Sequence, residues 1–408
     1  VVYEKFIPQG RRAYRDLAAP VANASSFFQN WQANGMSGVL GTAITGASSP
    51  IAGIHPITGL DYTITGNNSL FQFQQANWQP ITNTRLTSSI PYSGYRLLVR
   101  GNRFINMYQV PQPIVTNAPT ILRTQGNIIS GNINLTTTGV QSAFPHSFSL
   151  TPGIGQFNFI ANPYASIIDW HSVYQRSSNI NANYWYLDPT FGLANRSVYV
   201  SYNAISGTNS NPLASQVGRY IQSGQAFFTQ NSNTNLPIVR FTEADKAPDF
   251  LNKSIFDATI TQTPAIHLAI QKSDTIVDGT VALFSANFNN AISTEDAIKL
   301  VNDQENMAFR AETENLSIQA RQQPDTLTEL PLLFWQLKPH ENYQLAIKKQ
   351  YFPNNSVQPY LYNSETKQSI PISNEKTFFQ LPAVQKTNDT LKQFAIVFKQ
   401  PTVLANSF

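Results

Sequence analysis

Short apolar and aromatic runs, broken by turn residues, recur along the whole chain. Segments 95–99 (YRLLV), 157–160 (FNFI), 184–187 (YWYL), 198–202 (VYVSY), 225–229 (QAFFT), 267–271 (HLAIQ), 281–284 (VALF) and 394–398 (FAIVF) have strand length and strand composition. Ser93-Gly94, Thr65-Gly66-Asn67 and Asp278-Gly279 punctuate them. Regular short strands between turn signals predict sandwiches or barrels, not alternating α/β units. Helical spacing is confined to 294–300 (TEDAIKL), with a short turn over 26–34. No fixed-period repeat marks a solenoid or propeller. The amide- and hydroxyl-rich stretches 206–216 and 230–236 read as long exposed loops.

Composition turns this pattern into a fold class. A chain of 408 residues exceeds one hydrophobic core, so the expectation is all-β, with two or three β-sandwich or jelly-roll-like modules in tandem and very little helix. Aromatics make up 12% and charged residues only 12%, about half the usual soluble share, so Asn, Gln, Ser and Thr must supply the polar surface. Residues 1–240 hold 13 basic and 5 acidic side chains, almost all the basic ones Arg; the remainder holds 14 basic, mostly Lys, and 18 acidic. That switch marks a boundary. Segment 242–264, with Glu243, Asp245, Lys246 and Asp249 followed by weakly patterned sequence, reads as a linker. The resulting division is an N-terminal β-rich module at 1–245, a linker at 246–263, a C-terminal β-sandwich module at 264–400 and an extended tail at 401–408.

Candidate chemistry is sparse. Without cysteine there is no disulfide, thiolate metal site or cysteine nucleophile. His55, His146, His171, His267 and His340 are scattered, which disfavours zinc, and His267 sits in an apolar strand where it must face outward or be satisfied locally. A glycosidase needs two converging carboxyl groups. Asp169 beside Trp170 and Asp188 beside Tyr186 are the best pair on offer, with turn or cap roles the plainer reading. No G-x-S-x-G elbow, P-loop or dinucleotide fingerprint sits in a fitting context, so the chain reads as a non-enzyme. Segment 274–279 (DTIVDG) looks like a calcium loop but lacks a third carboxylate and the closing Glu, so a hairpin turn fits better; no cofactor is expected beyond one weakly held Ca²⁺. Arg11, Arg12, Arg15, Arg96, Arg100 and Arg103 would either form a patch for anionic glycans or lipopolysaccharide, or pair with carbonyls and acids. Basic and aromatic residues do not interleave as nucleic-acid modules require. Trp31, Trp170 and Trp185 read as core anchors; in the rival reading Trp170, Tyr184, Trp185 and Tyr186 form a sugar-stacking platform. Asn162-Pro163-Tyr164 predicts a rigid turn, and Gly101 and Gly224 predict backbone angles closed to other residues.

Several stretches carry a resemblance. VVYEKFIPQGRRAYRDLAAPV, FFQNWQANG, the 41–46 turn GTAITG, SGYRLLVRGNR at 93–103, ILRTQGNI, FNFIANPYASIIDW at 157–170, NYWYLDP and SGQAFFTQ together resemble a module of large surface proteins of Flavobacteria- and Chitinophaga-like Bacteroidota. Residues 265–399, with AIHLAIQKSD, DAIKL, LSIQARQQPDTLTELPLLFWQL, YQLAI, YLYNSET and LKQFAIVF, resemble the module that often follows. Such proteins are cargo of type IX secretion and end in a C-terminal sorting domain removed on export. The resemblance therefore implies a processed, extracellular or outer-surface protein of a Gram-negative bacterium, reaching the membrane only through surface attachment. With its amide-rich surface, the expected role is structural or adhesive, in contact with copies of itself, other surface proteins or glycans. Assembly into a fibre or surface layer by strand addition would use the strand at Val1 or the tail residues Thr402, Val403, Leu404 and Phe408. The alternative is a non-catalytic carbohydrate-binding surface protein. Asp-Thr-aliphatic triplets, similar to the O-glycosylation acceptor of the same bacteria, mark Thr275, Thr326 and Thr390.

Overall fold

All eight apolar runs are strands in the computed structural model, which describes residues 1–105, 116–193, 196–247, 263–353, 357–386 and 389–399. The protein is almost wholly β, built from several sheets in a sandwich-like arrangement. Helix falls elsewhere than expected. Among the described residues the one α-helix is Trp170–Arg176, started by Asp169, whose carboxylate accepts the His171 N–H at 3.0 Å. Seven residues are too few for a helical period to show against the aromatic strands on either side. The 294–300 helix does not form. Asp296 instead accepts the Ser293 N–H at 2.8 Å and the Ala320 N–H at 2.9 Å, and Ala297–Ile298 pairs with the Glu314–Arg321 strand. The 26–34 segment is a turn that ends in the 3₁₀ helix Ala33–Gly35.

Two compact units divide the chain: Val1–Ser197 with Val217–Asp257, and Val198–Gln216 with Ala258–Phe408. The sequence placed 198–216 in the N-terminal module; the division of the chain assigns it to the second unit. Thr242, read as the start of the linker, is part of the first unit. Its N–H and hydroxyl reach the Asp245 carboxylate at 2.6 and 3.0 Å, closing a capping box over Glu243–Asp245. Residues 248–262, most of the expected linker, lie outside the described residues.

In the first unit, one antiparallel sheet runs in the order Tyr14–Leu17, Tyr95–Leu98, Leu70–Gln74, Asn77–Pro80. Phe157–Ala161, Ala226–Asn231 and Ile180–Asp188 lie side by side in a second. Aromatic knots fill the interior. Phe27 meets Tyr95 at 4.9 Å and Trp31 at 5.0 Å, while Trp170, Tyr184 and Phe227 meet pairwise at 5.6 Å. Each buried ring contributes about 1.5–3 kcal/mol of apolar transfer, provided its polar end is satisfied. The Trp31 indole donates to Thr124 Oγ1 at 3.0 Å and that of Trp170 to the Ala182 carbonyl at 2.9 Å. Asn162 makes the expected rigid turn: fully buried, it donates to the Ser166, Ile221 and Gln222 carbonyls and accepts the Tyr164 N–H. Gly101 and Gly224 hold φ of +93° and +63°, and a Cβ on Gly224 would lie 2.5 Å from the Tyr3 hydroxyl. Val2–Ile7 already pairs along its length with Thr120–Gln125, so giving this strand to a neighbour would break six residue pairs. Residues 400–408, including Thr402, Val403, Leu404 and Phe408, lie outside the described residues.

The second unit is one large sheet, antiparallel apart from the parallel pair Thr275–Phe284 and Glu314–Arg321. Phe284 and Phe398 stand four strands apart in it, yet their rings meet at 5.5 Å. At about 4.8 Å per strand a flat sheet would hold them far apart, so the sheet folds over on itself around this core. The Val198–Asn203 strand and its Thr208–Asn209 partner are tied to it by hydrogen bonds from the Tyr199 N–H to Asn302 at 2.8 Å and from Asn203 to the Thr294 carbonyl at 2.8 Å. Asp278-Gly279 is not a turn. The hairpin turns at Ser273-Asp274, both at positive φ, and Asp278-Gly279 lies inside the buried strand Thr275–Phe284. Gly279 is there because the Asn211 side chain crosses it: a Cβ would come 2.4 Å from Asn211 Cγ.

Candidate functional site: an amide-lined cleft

The sugar-stacking platform inferred from sequence is absent. Trp170, Tyr184 and Trp185 are 0%, 1% and 1% exposed, and Tyr186 is half-buried. Ile180–Asp188 is covered on both faces, so the alternation that would leave one aromatic row in solvent never arises. Its flanking carboxylates are engaged too. Asp169 caps the helix and takes Arg219 through two bonds of 2.8 and 2.6 Å; burial pushes its pKa up, but those bonds and the Arg219 charge outweigh it and hold it low. Asp188 is buried and accepts the Thr190 N–H and hydroxyl. Neither is placed to exchange protons with a substrate.

Other candidates disperse. Among the described residues no three His, Asp or Glu side chains gather as a metal site requires. Of the calcium-like segment, Asp278 is fully committed: Oδ1 takes the Lys299 ammonium at 2.5 Å and Oδ2 the Met307 N–H at 2.7 Å. The arginines divide. Arg96 is held by Asp16 at 3.0 and 3.1 Å, and Arg103 by Asp61 at 2.8 and 3.0 Å. Arg11 donates to the Arg196 carbonyl. Arg12 and Arg15 each keep a buried Nε, and Arg100 a buried Nε and Nη1, with no hydrogen-bond partner. Of the glycosylation candidates, Thr326 and Thr390 are exposed and Thr275, first residue of its strand, is half-buried.

A different place gathers free polar groups. Leu70–Gln74 and Asn77–Pro80 form a hairpin whose two-residue turn, Gln75-Ala76, has φ of 49° and 59°, the mirror-image turn that matches strand twist. Its register sets Gln72 against Gln79, Phe73 against Trp78 and Gln74 against Asn77. Cross-strand partners share a face, so Gln72 stands beside Gln79 and Phe73 beside Trp78. Between this hairpin, the loop at 146–151 and the Phe157–Ala161 strand lies an open cleft of about 730 Å³. Gln72, Gln79, Ser147 and Ser149 line it, and their side chains make no hydrogen bond within the protein. Half-exposed Phe73, Phe148 and Phe157 line it as well.

The rings behind the cleft are locked. Phe73 meets Phe228 edge to face at 4.9 Å, and Trp78 meets Phe159 at 5.1 Å. The Arg96 guanidinium lies 3.8 Å over Trp78 and is itself clamped by fully buried Asp16. His146 is the one titratable residue in the lining. Its Nδ1 accepts the Phe148 N–H at 2.8 Å, which places the neutral ring's proton on Nε2. No carboxylate lines the cleft. In sequence the site is the segment FQFQQANWQ, period-2 alternation around a turn, and because Gln-Ala is not a usual turn pair the local hairpin signal is weak. Comparison of the chain with protein-family models, curated proteins and solved structures finds no match.

Proposed function

We propose that this is a non-catalytic adhesive protein of the bacterial outer surface that holds glycan chains in the cleft beside the Leu70–Gln74 hairpin. The observation that carries the reading is the lining itself: unpaired amides and hydroxyls next to fixed, half-exposed rings, and no acid. Sugars present hydroxyls that donate and accept, which Gln and Ser match in both senses, and C–H faces that settle on aromatic rings. The volume falls inside the range of about 300–1,000 Å³ typical of small-ligand sites. Hydrolysis would need a carboxyl on each side of the bond, and His146 alone cannot supply both. The motif resemblance to type IX secretion cargo of Bacteroidota supports an extracellular setting, as does a surface built on amides and hydroxyls. A glycan array probed with the intact chain tests the reading. Binding to a restricted glycan set, lost in Gln72→Ala/Gln79→Ala with the melting temperature preserved, is the expected outcome; an array blank at high micromolar protein overturns it.

Self-association is a second reading, favoured by Val1 and by Val2 and Phe6 of the Val2–Ile7 strand, which stand 63%, 55% and 63% exposed. Light scattering across a concentration series checks it: a mass fixed at the monomer removes it.

A further inference from the structure

We propose that Arg12 and Arg100 form a binding site for a doubly charged oxyanion, phosphate or sulfate, independent of the cleft. They lie just beyond the ends of two antiparallel strands, Arg12 before Tyr14–Leu17 and Arg100 after Tyr95–Leu98, in which Tyr14 stands opposite Leu98. The pairing continues through the Val99 N–H to the Ala13 carbonyl at 3.4 Å, and the next step brings Arg12 level with Arg100. Like charges on facing strand positions repel. Arg100 is only 8% exposed, and its Nε and Nη1 are buried with no hydrogen-bond partner; Arg12 Nε is in the same state. Burial, then the Arg12 charge, push Arg100 down to about 10.

No carboxylate answers this pair. Asp61, the acid whose charge reaches Arg100, is saturated by two bonds from Arg103, one from Gln32 and one from the Ile44 N–H. Asp16 is taken by Arg96, and Asp188 lies toward Arg11 and Arg15. A buried guanidinium facing a half-exposed one, with no anion between them, is costly, and burial without pairing is seldom kept. An oxyanion of charge −2 between them would neutralise both and accept from the free N–H edges, the bidentate geometry in which guanidinium excels. Either a free ion or a phosphate ester on a sugar or lipid supplies that chemistry.

The test is calorimetric titration and thermal melting of the intact chain in phosphate and in sulfate against chloride at equal ionic strength. The wild type is expected to bind at least one of the two dianions and to melt higher in it, by mass action on the folded state. Arg12→Gln, half-exposed and able to fold, is expected to weaken that affinity at least tenfold while leaving glycan binding in the cleft unchanged. Arg100→Met removes an unpaired buried charge, so it is expected to melt higher than wild type in chloride and to lose the response to the dianion. Glucose 6-phosphate and phosphatidic-acid vesicles identify the source: preference for either, abolished in Arg12→Gln, upholds the site. Equal melting in phosphate, sulfate and chloride, or an undiminished response in Arg12→Gln, overturns it.

Discussion

His267 shows how one side chain couples this fold to pH. It is 7% exposed; Nε2 lies 3.1 Å from Gln350 Oε1, and Nδ1 is buried with no partner. Burial, followed by the charge of Lys348 directly opposite, lowers its pKa to about 4. An unfolded histidine takes its proton near 6.5, so between these values the unfolded chain binds more protons and stability falls as pH falls. The full effect is on the order of 3 kcal/mol. Asp296, pushed up to about 6 mainly by burial, has the opposite slope in the same window, so the informative quantity is a difference. Urea melts of wild type and His267→Gln should diverge in pH dependence between 6.5 and 4, the wild type losing stability faster; parallel profiles would show that the ring is not held neutral. The Asp278–Lys299 pair, each side chain 1% exposed, is sealed within the second unit. Lys299→Met leaves the Asp278 charge uncompensated and should cost roughly 3–5 kcal/mol, while Asp278→Leu/Lys299→Met should recover most of the loss. Chemical denaturation of both variants decides it.

At the scale of elements, strands were legible and their exceptions were not. Alternation and β-branched content are local properties, so every apolar run became a strand. The 294–300 segment has helical spacing, yet Asp296 accepts one backbone N–H from Ser293 nearby and one from distant Ala320, and Ala297–Ile298 joins the Glu314–Arg321 strand, which together outcompete a seven-residue helix that would be marginal alone. Asp278-Gly279 looked like a turn because the residue types are right; the reason for Gly279 is Asn211, which crosses it from 68 positions earlier in sequence, and no local pattern contains that. The same limit hid the fate of Trp170, Tyr184 and Trp185, since adjacency in sequence cannot say whether one or both faces of a strand are covered. Exposure at turn positions bears on the threonine triplets. Thr326 lies between Asp325 and Leu327 in an exposed turn, and Thr390 is exposed just ahead of Leu391. If these are glycan acceptors, the protein from its exporting host should exceed its polypeptide mass by whole glycan units, and Thr326→Ala/Thr390→Ala should remove most of that excess. An intact mass equal to the polypeptide refutes the assignment.

For the whole molecule, the switch in charge and in basic-residue type falls near residue 240, and the chain divides into the compact units Val1–Ser197 with Val217–Asp257 and Val198–Gln216 with Ala258–Phe408. Among the described residues the first unit pairs Glu4, Asp16, Asp61, Asp169 and Asp245 with arginines, and its open cleft is lined by amides, hydroxyls and rings. Binding without turnover is the account this supports. Its most direct test is titration of a glycan selected on the array into wild type, Phe73→Ala and Gln72→Ala/Gln79→Ala, with the glycan recovered and weighed afterwards. The account predicts saturable binding by the wild type, at least tenfold weaker binding in both variants with folding retained, and a glycan of unchanged mass. Binding that survives both variants, or recovery of a cleaved glycan, would contradict it.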